Sequence, residues 1–205
     1  LSLINDVLQM SKLEDGNIVL THEFINLYEL SADIVTIIIG RAVEAGIGWE
    51  YDKSNMTIPC PYIYGSPLHL RQIFLNIYGN CIKYNRPGGK ISSKVECVRE
   101  EADKCWYRWI ISDTGIGMSE EFLAHIFEPF AQEKNDARSE HQGSGLGMAI
   151  VKALIDQMGG TISVTSEVGV GSTFVIELPF DIAPAPKENE SNSLPQENNI
   201  QGMHL

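Results

Sequence analysis

The chain is short of positive charge. Lys and Arg number 15 against 27 Asp and Glu, for a formal net charge of −12 over 205 residues. That balance disfavours nucleic acid and anionic membrane as partners. An anionic ligand would need positive charge gathered locally. Cysteine is scarce as well: Cys60, Cys81, Cys97 and Cys105 are scattered without CxxC or metal-ligand spacing. This excludes a disulfide scaffold and a thiolate zinc site, and the four read as reduced, mostly structural thiols. No apolar run reaches membrane-spanning length; the stretch Val35-Thr36-Ile37-Ile38-Ile39 reads as one buried segment. A signal-peptide pattern and internal repeats are also missing. Leu1 opens in mid-pattern without Met, so the sequence is expected to be a piece of something longer. The apolar fraction, 43%, is enough for one core with additions at its ends.

Leu1, Ile4, Val7, Leu8 and Ser11 follow a helical stripe that Gly16 is expected to stop. Ile18–Phe24 alternates like an edge strand, and Asn26 can cap a helix from about Leu27 to Ala45. Trp49–Ser54 and Tyr62–Tyr64 read as short strands. Ser66-Pro67 predicts the start of a helix running to about Tyr84, with serine at the cap and proline in the first turn. Lys90–Val98 and Trp106–Asp113 alternate like a hairpin. Ser119 can cap a short helix over Glu120–Phe127, and Ala131–Gln142 reads as a loop. Leu146, Ile150, Leu154 and Met158 recur at helical spacing until Gly159-Gly160. Ile162 and Val164 then match Phe174, Ile176 and Leu178 across a glycine turn. From Asp181 the composition turns to Pro, Glu, Asn and Ser, as in a solvated linker.

Three features carry chemistry. Asp113-Thr114-Gly115-Ile116-Gly117-Met118 follows a strand, and Gly143-Ser144-Gly145-Leu146-Gly147 runs into a helix. Glycine lets a ligand approach the backbone closely, and a helix N-terminus offers unpaired N–H groups to an anion. On the Pro67 helix, His69, Gln72, Asn76, Asn80 and Lys83 fall within roughly 80° of one another at the helical period. That stripe holds amides, a histidine and a lysine but no acid, which suits the wall of a polar pocket; a solvated face opposite a core face is the other reading.

The ordered set resembles the sensor histidine kinases. Asn76-Ile77-Tyr78-Gly79-Asn80-Cys81-Ile82-Lys83-Tyr84-Asn85 is similar to their N box. Asp113–Met118 resembles the first glycine box, Phe127-Glu128-Pro129-Phe130 the F box, and Gly143–Ile150 the second glycine box. The resemblance spans Ser66–Phe180. It implies an α+β fold, the two-layer α/β sandwich shared with gyrase, the mismatch-repair ATPases and the heat-shock chaperone, with a mostly antiparallel sheet and helices on one face. It extends to residues 1–16, similar to the end of a dimerisation and phosphotransfer helix, followed by a catalytic domain over 17–181. Residues 182–205 are then an acidic linker, with Gln201–Leu205 similar to the lead-in to a receiver domain.

The resemblance also implies a site that binds ATP and magnesium. Asp113 accepts from the adenine amine, while Gly115, Ile116, Gly117 and Met118 close around base and sugar. Asn80 is the magnesium ligand, and its amide oxygen suits an ion that prefers oxygen and shares phosphate oxygens. Asn76 supports the same face, Lys83 supplies positive charge, and Tyr84 flanks the nucleotide. Gly143, Ser144, Gly145, Leu146 and Gly147 shape the lid edge. Phe130 and Thr173 join the nucleotide contacts, and Lys134 and Arg138 are candidate phosphate contacts. Asn80 and Lys83 carry the catalytic role.

Hydrolases of the superfamily carry a glutamate one helical turn before the magnesium asparagine. Asn76 stands there and cannot act as a base, so the expected reaction is phosphoryl transfer to a histidine. His22-Glu23 lacks the following Arg-Thr-Pro of a phosphoacceptor box, so the acceptor helix is expected before Leu1. This piece alone is then unable to phosphorylate itself. Implied partners are that helix, a response regulator or receiver domain, and a second copy of the parent, with no nucleic acid. The implied compartment is the cytoplasm, whether or not the parent is membrane-anchored. The alternatives are a superfamily ATPase and a non-catalytic nucleotide-binding module.

Overall fold

The computed structural model describes residues 4, 7, 8, 10, 11, 18–51, 58–132 and 144–186. Its described elements are β1 (Glu23–Asn26), α1 (Leu27–Glu44), β2 (Gly48–Tyr51), β3 (Tyr62–Gly65), α2 (Pro67–Lys83), β4 (Lys90–Glu100), β5 (Lys104–Asp113), α3 (Glu120–Leu123), α4 (Gly147–Gln157), β6 (Thr161–Glu167) and β7 (Gly171–Ile182). They form the expected α+β sandwich: one seven-stranded sheet with α1, α2 and α4 on one face.

The sheet runs β1-β3-β7-β5-β4-β2, and β6 pairs with β7. β7 is its hub. One edge bonds β5 along its length, from Asp113↔Ser172 to Lys104↔Asp181. The other bonds β6 first and β3 at its end, where Ile63 meets Ile182. Every pairing is antiparallel except β2 with β4. Side chains alternate across a strand, so Tyr107, Trp109 and Ile111 share the helix-bearing face of β5 with Leu178, Ile176 and Phe174 opposite them. Leu30, Ile34 and Ile38 of α1, Ile73 and Ile77 of α2, and Ile150 and Leu154 of α4 close the core over them. Tyr107 Oη lies 3.0 Å from both the N–H and the carbonyl of Cys60, pinning the strap before β3 to the sheet.

Local chemistry sets the helix ends. Asn26 caps α1 as expected, its Oδ1 accepting from Tyr28 N at 3.0 Å; such a cap is worth about 1 kcal/mol. Ser66 precedes α2 but makes no side-chain cap bond. Its Oγ lies 2.7 Å from His69 Nδ1 and accepts from Thr21 Oγ1 at 3.0 Å. Ser119 does cap α3, its Oγ accepting from Phe122 N at 3.2 Å. That helix stops at Leu123 rather than Phe127, because the following bonds tighten to three residues, as from His125 N to Phe122 O. β1 lies later and is shorter than the expected Ile18–Phe24: it starts at Glu23 and ends at Asn26, where β3 offers four partners, Gly65 to Tyr62.

Ile4, Val7, Leu8, Met10 and Ser11 are helical, and Met10 packs on the core. Gly16 and the proposed strand end at Asp52–Ser54 lie outside the described residues. At the other end the fold runs a little past residue 181. β7 continues to Ile182, and buried Ala183 donates to the Tyr62 carbonyl at 2.9 Å. The four thiols are free, and all but Cys97 are buried. Among the described residues no helix is long and apolar enough to cross a membrane.

Candidate functional site

The last residue of β5, Asp113, is half-buried on the helix-bearing face of the sheet. Its Oδ1 accepts from Gly115 N at 2.8 Å, so the carboxylate also shapes its own turn. The loop it opens is tied down on two sides. Ile116 N donates to the Tyr84 carbonyl at the end of α2, at 3.0 Å. Gly169 N, in the turn between β6 and β7, donates to the Ile116 carbonyl at 2.8 Å. Arg86 completes the tie: Nε donates to Thr114 O at 3.0 Å and Nη2 to Gly169 O at 3.1 Å. Sequence reasoning missed Arg86, since nothing in its spacing points to those two distant carbonyls. Gly117 sits at φ +70°, and a Cβ there would fall 1.9 Å from the Glu167 carbonyl. Only glycine fits that approach.

α2 supplies the polar wall. Gln72, Asn76, Asn80 and Lys83 are all half-buried along it. No hydrogen bond joins the Asn76 or Asn80 amide to any described residue. Lys83 Nζ stands 4.8 Å from the centre of the Tyr84 ring. His69 departs from the expected stripe. It is buried, bonded to Ser66, and burial lowers its pKa, so it is a satisfied core histidine. Helical periodicity could not reveal this, because the stripe enters the core one turn from the helix start.

α4 meets that wall. An added Cβ on Gly147 would lie 3.6 Å from Asn76 Oδ1. No side chain caps α4, so its first-turn N–H groups are left for an anion. Gly145, at φ +71°, turns the chain into the helix, and its carbonyl accepts from Phe130 N at 3.0 Å. The F-box residue Phe130, itself at φ 64° and largely exposed, is thereby tied to the second glycine box. Leu146 is fully buried, and Ser144 Oγ accepts from its N–H at 3.3 Å. Lys134, Arg138, His141 and Gly143 lie outside the described residues.

Thr173 is not brought to this site. It pairs with Ser112, and the two hydroxyls lie 2.8 Å apart on the face of the sheet away from the helices. Strand alternation puts Ser172 in its stead, buried and opposite Asp113. A mostly apolar cleft lined by Leu27, Leu30, Ile34, Phe74 and Trp109, with no charged residue among its lining, lies on the other side of α2 from Asn76 and Asn80.

A carboxylate at a strand end, glycine loops folded over it, a polar wall that includes Asn76 and Asn80, and an uncapped helix start define an ATP-binding α/β sandwich. The family model described as histidine kinase-, DNA gyrase B-, and HSP90-like ATPase matches residues 65–182, and the chain belongs to that family. The sensor protein GacS of Pseudomonas syringae pv. syringae is 36% identical over 195 residues, which cover 94% of this chain and 21% of that protein. The autoinducer 2 sensor kinase/phosphatase LuxQ of Vibrio cholerae is 34% identical over 187 residues, 91% of this chain and 21% of LuxQ. The chain thus spans about a fifth of the relatives it matches. The crystal structure of full-length ShkA in complex with AMPPNP is similar with a TM-score of 0.73 at 33% identity, over 90% of this chain and 36% of that one. The mycobacterial sensor histidine kinase MprB, at 24% identity and a TM-score of 0.61, shares the fold over 79% of this chain and 99% of its own.

Proposed function

We propose that this chain is the ATP-binding catalytic domain of a sensor histidine kinase, donating the γ-phosphoryl group of ATP to a histidine on a dimerisation domain. The observation that carries this reading is Asn76, on α2 one turn before Asn80 and facing the first turn of α4, where a hydrolase of the superfamily needs a glutamate to activate water. An amide in that place can hold a phosphate-bearing face but cannot take a proton from water. The site then keeps the γ-phosphoryl for a protein acceptor, and positioning with charge neutralisation supplies most of the catalysis.

In this reading the Asp113 carboxylate accepts from the adenine amine, with Ser172 beside it. Gly115, Ile116, Gly117 and Met118 enclose base and sugar, and Tyr84 flanks them. Gly145, Leu146 and Gly147, with Ser144 and Phe130 behind them, bring the α4 start to the phosphates. Lys83 supplies the local positive charge, Gly143 belongs to the lid edge, and Lys134 and Arg138 are candidate phosphate contacts. Asn80 fits magnesium, because its amide is unengaged among the described residues. Among those residues no cluster of three or more His, Cys, Asp or Glu could hold a metal alone. That suits an ion shared between one amide and phosphate oxygens. When bound, magnesium neutralises phosphate charge.

We assign residues 1–16 to the end of a dimerisation helix, 17–181 to the catalytic domain and 182–205 to a linker toward a receiver domain. The parent works as a homodimer, with its catalytic domain in the cytoplasm and a response regulator or receiver domain as the next acceptor. Incubation with γ-labelled MgATP tests the reading: nucleotide binds, with neither steady phosphate release nor self-labelling. Phosphate release at turnover rates would make the chain a hydrolase, and an acid-labile, base-stable label on its own histidine would refute the missing-acceptor assignment.

A further inference from the structure

A row of three polar residues crosses three strands at the base site. Asp113 of β5 stands opposite Ser172 of β7, and Ser172 stands opposite Ser166 of β6. The two serine hydroxyls lie 3.0 Å apart. Ser166 Oγ also donates to the Gly171 carbonyl at 2.8 Å. A hydroxyl carries a single proton, and a carbonyl only accepts. The Ser166 proton is therefore spent on Gly171, and the contact between the serines is a hydrogen bond only if Ser172 donates it. Ser172, buried beside Asp113, is left with lone pairs alone.

We propose that Ser166 is a positioning residue that sets base specificity. By taking the Ser172 proton it turns the Asp113–Ser172 pair into an acceptor-only edge, matched to a 6-aminopurine and opposed to a 6-oxopurine. This rests on the reading of Asp113 as the adenine acceptor. An exocyclic amine brings two N–H bonds, and the edge offers a carboxylate and a hydroxyl oxygen to receive them. A 6-oxo group brings an oxygen to the same place, so lone pairs face lone pairs with no proton between them. Leaving buried acceptors unpaired costs more than a typical pairing gains, so most of the discrimination is a penalty on the wrong base. Without Ser166 the Ser172 hydroxyl is released to turn its proton toward a 6-oxo group.

The test measures ATP and inosine triphosphate, its 6-oxo counterpart, by competition against a fluorescent ATP analogue. In Ser166→Ala, inosine triphosphate is expected to gain about three- to tenfold in affinity while ATP stays within about twofold. Ser166→Thr and Ser166→Val are isosteric and both suit a strand, so they repeat the comparison where the alanine variant folds poorly. Threonine keeps the wild-type preference, and valine narrows it. Equal weakening of both ligands, no change, or a narrowing through loss of ATP alone overturns the proposal. So does a threonine variant that behaves like the valine one. Asp113→Asn and Ser172→Ala separate this role from the base-site reading. If either narrows the preference while the Ser166 variants do not, only the role of Ser166 falls. If neither touches it, the adenine assignment falls as well.

Discussion

Asp113 and Ser172 stand directly opposite each other across the β5–β7 ladder, on the face of the sheet that carries the helices. Their neighbours Ser112 and Thr173 are paired in the same way on the other face, hydroxyl to hydroxyl at 2.8 Å. A one-residue offset thus decides which β7 hydroxyl can share a ligand with the aspartate. Ser172→Ala is expected to lower ATP affinity several-fold, and Thr173→Val to leave it within about twofold. Isothermal titration of both variants checks this; a larger loss in the threonine variant would reverse the assignment.

Asn80 carries the magnesium assignment by itself. Asn80→Ala should lose most of the magnesium-dependent gain in ATP affinity while binding adenosine without magnesium as before. Two titrations, with the metal and with chelator, measure this. Equal loss in both would mean that the substitution disturbs the fold and not the ion.

His69 makes stability depend on pH. Thr21 donates to Ser66 Oγ, so the Ser66 proton goes to His69 Nδ1, which accepts it only in a neutral ring. Burial lowers the folded-state pKa below the ordinary 6.5. Between the two values the unfolded chain binds more protons, so stability falls as pH drops below about 6.5. His69→Gln removes this dependence. Its stability deficit at pH 7, measured by denaturant unfolding, should shrink by pH 5. A deficit constant across that range would contradict the neutral buried histidine.

Much of the fold was legible because local rules acted alone. Asn26 capped α1, alternation marked the β4–β5 hairpin, and Gly169–Gly171 turned β6 into β7. The rest depended on distant partners. Ser66 had the composition of a cap, but Thr21 and His69 claimed its hydroxyl. Glu120–Phe127 had a helix start but frayed into tight turns after Leu123. The parallel β2–β4 pairing left no mark in either strand. At the site, glycines, amides and Asp113 stood out by residue type. Ser172 and Arg86 did not, because register and packing bring them there.

The central claim is that Asp113 reads the adenine base of bound ATP. Calorimetric titration of wild type and Asp113→Asn with ATP tests it most directly. Removing a charge-assisted bond to a base costs about 1.5–3 kcal/mol, so affinity should fall roughly 10- to 150-fold while the protein stays folded. An unchanged dissociation constant would take Asp113 out of the pocket and the adenine reading with it.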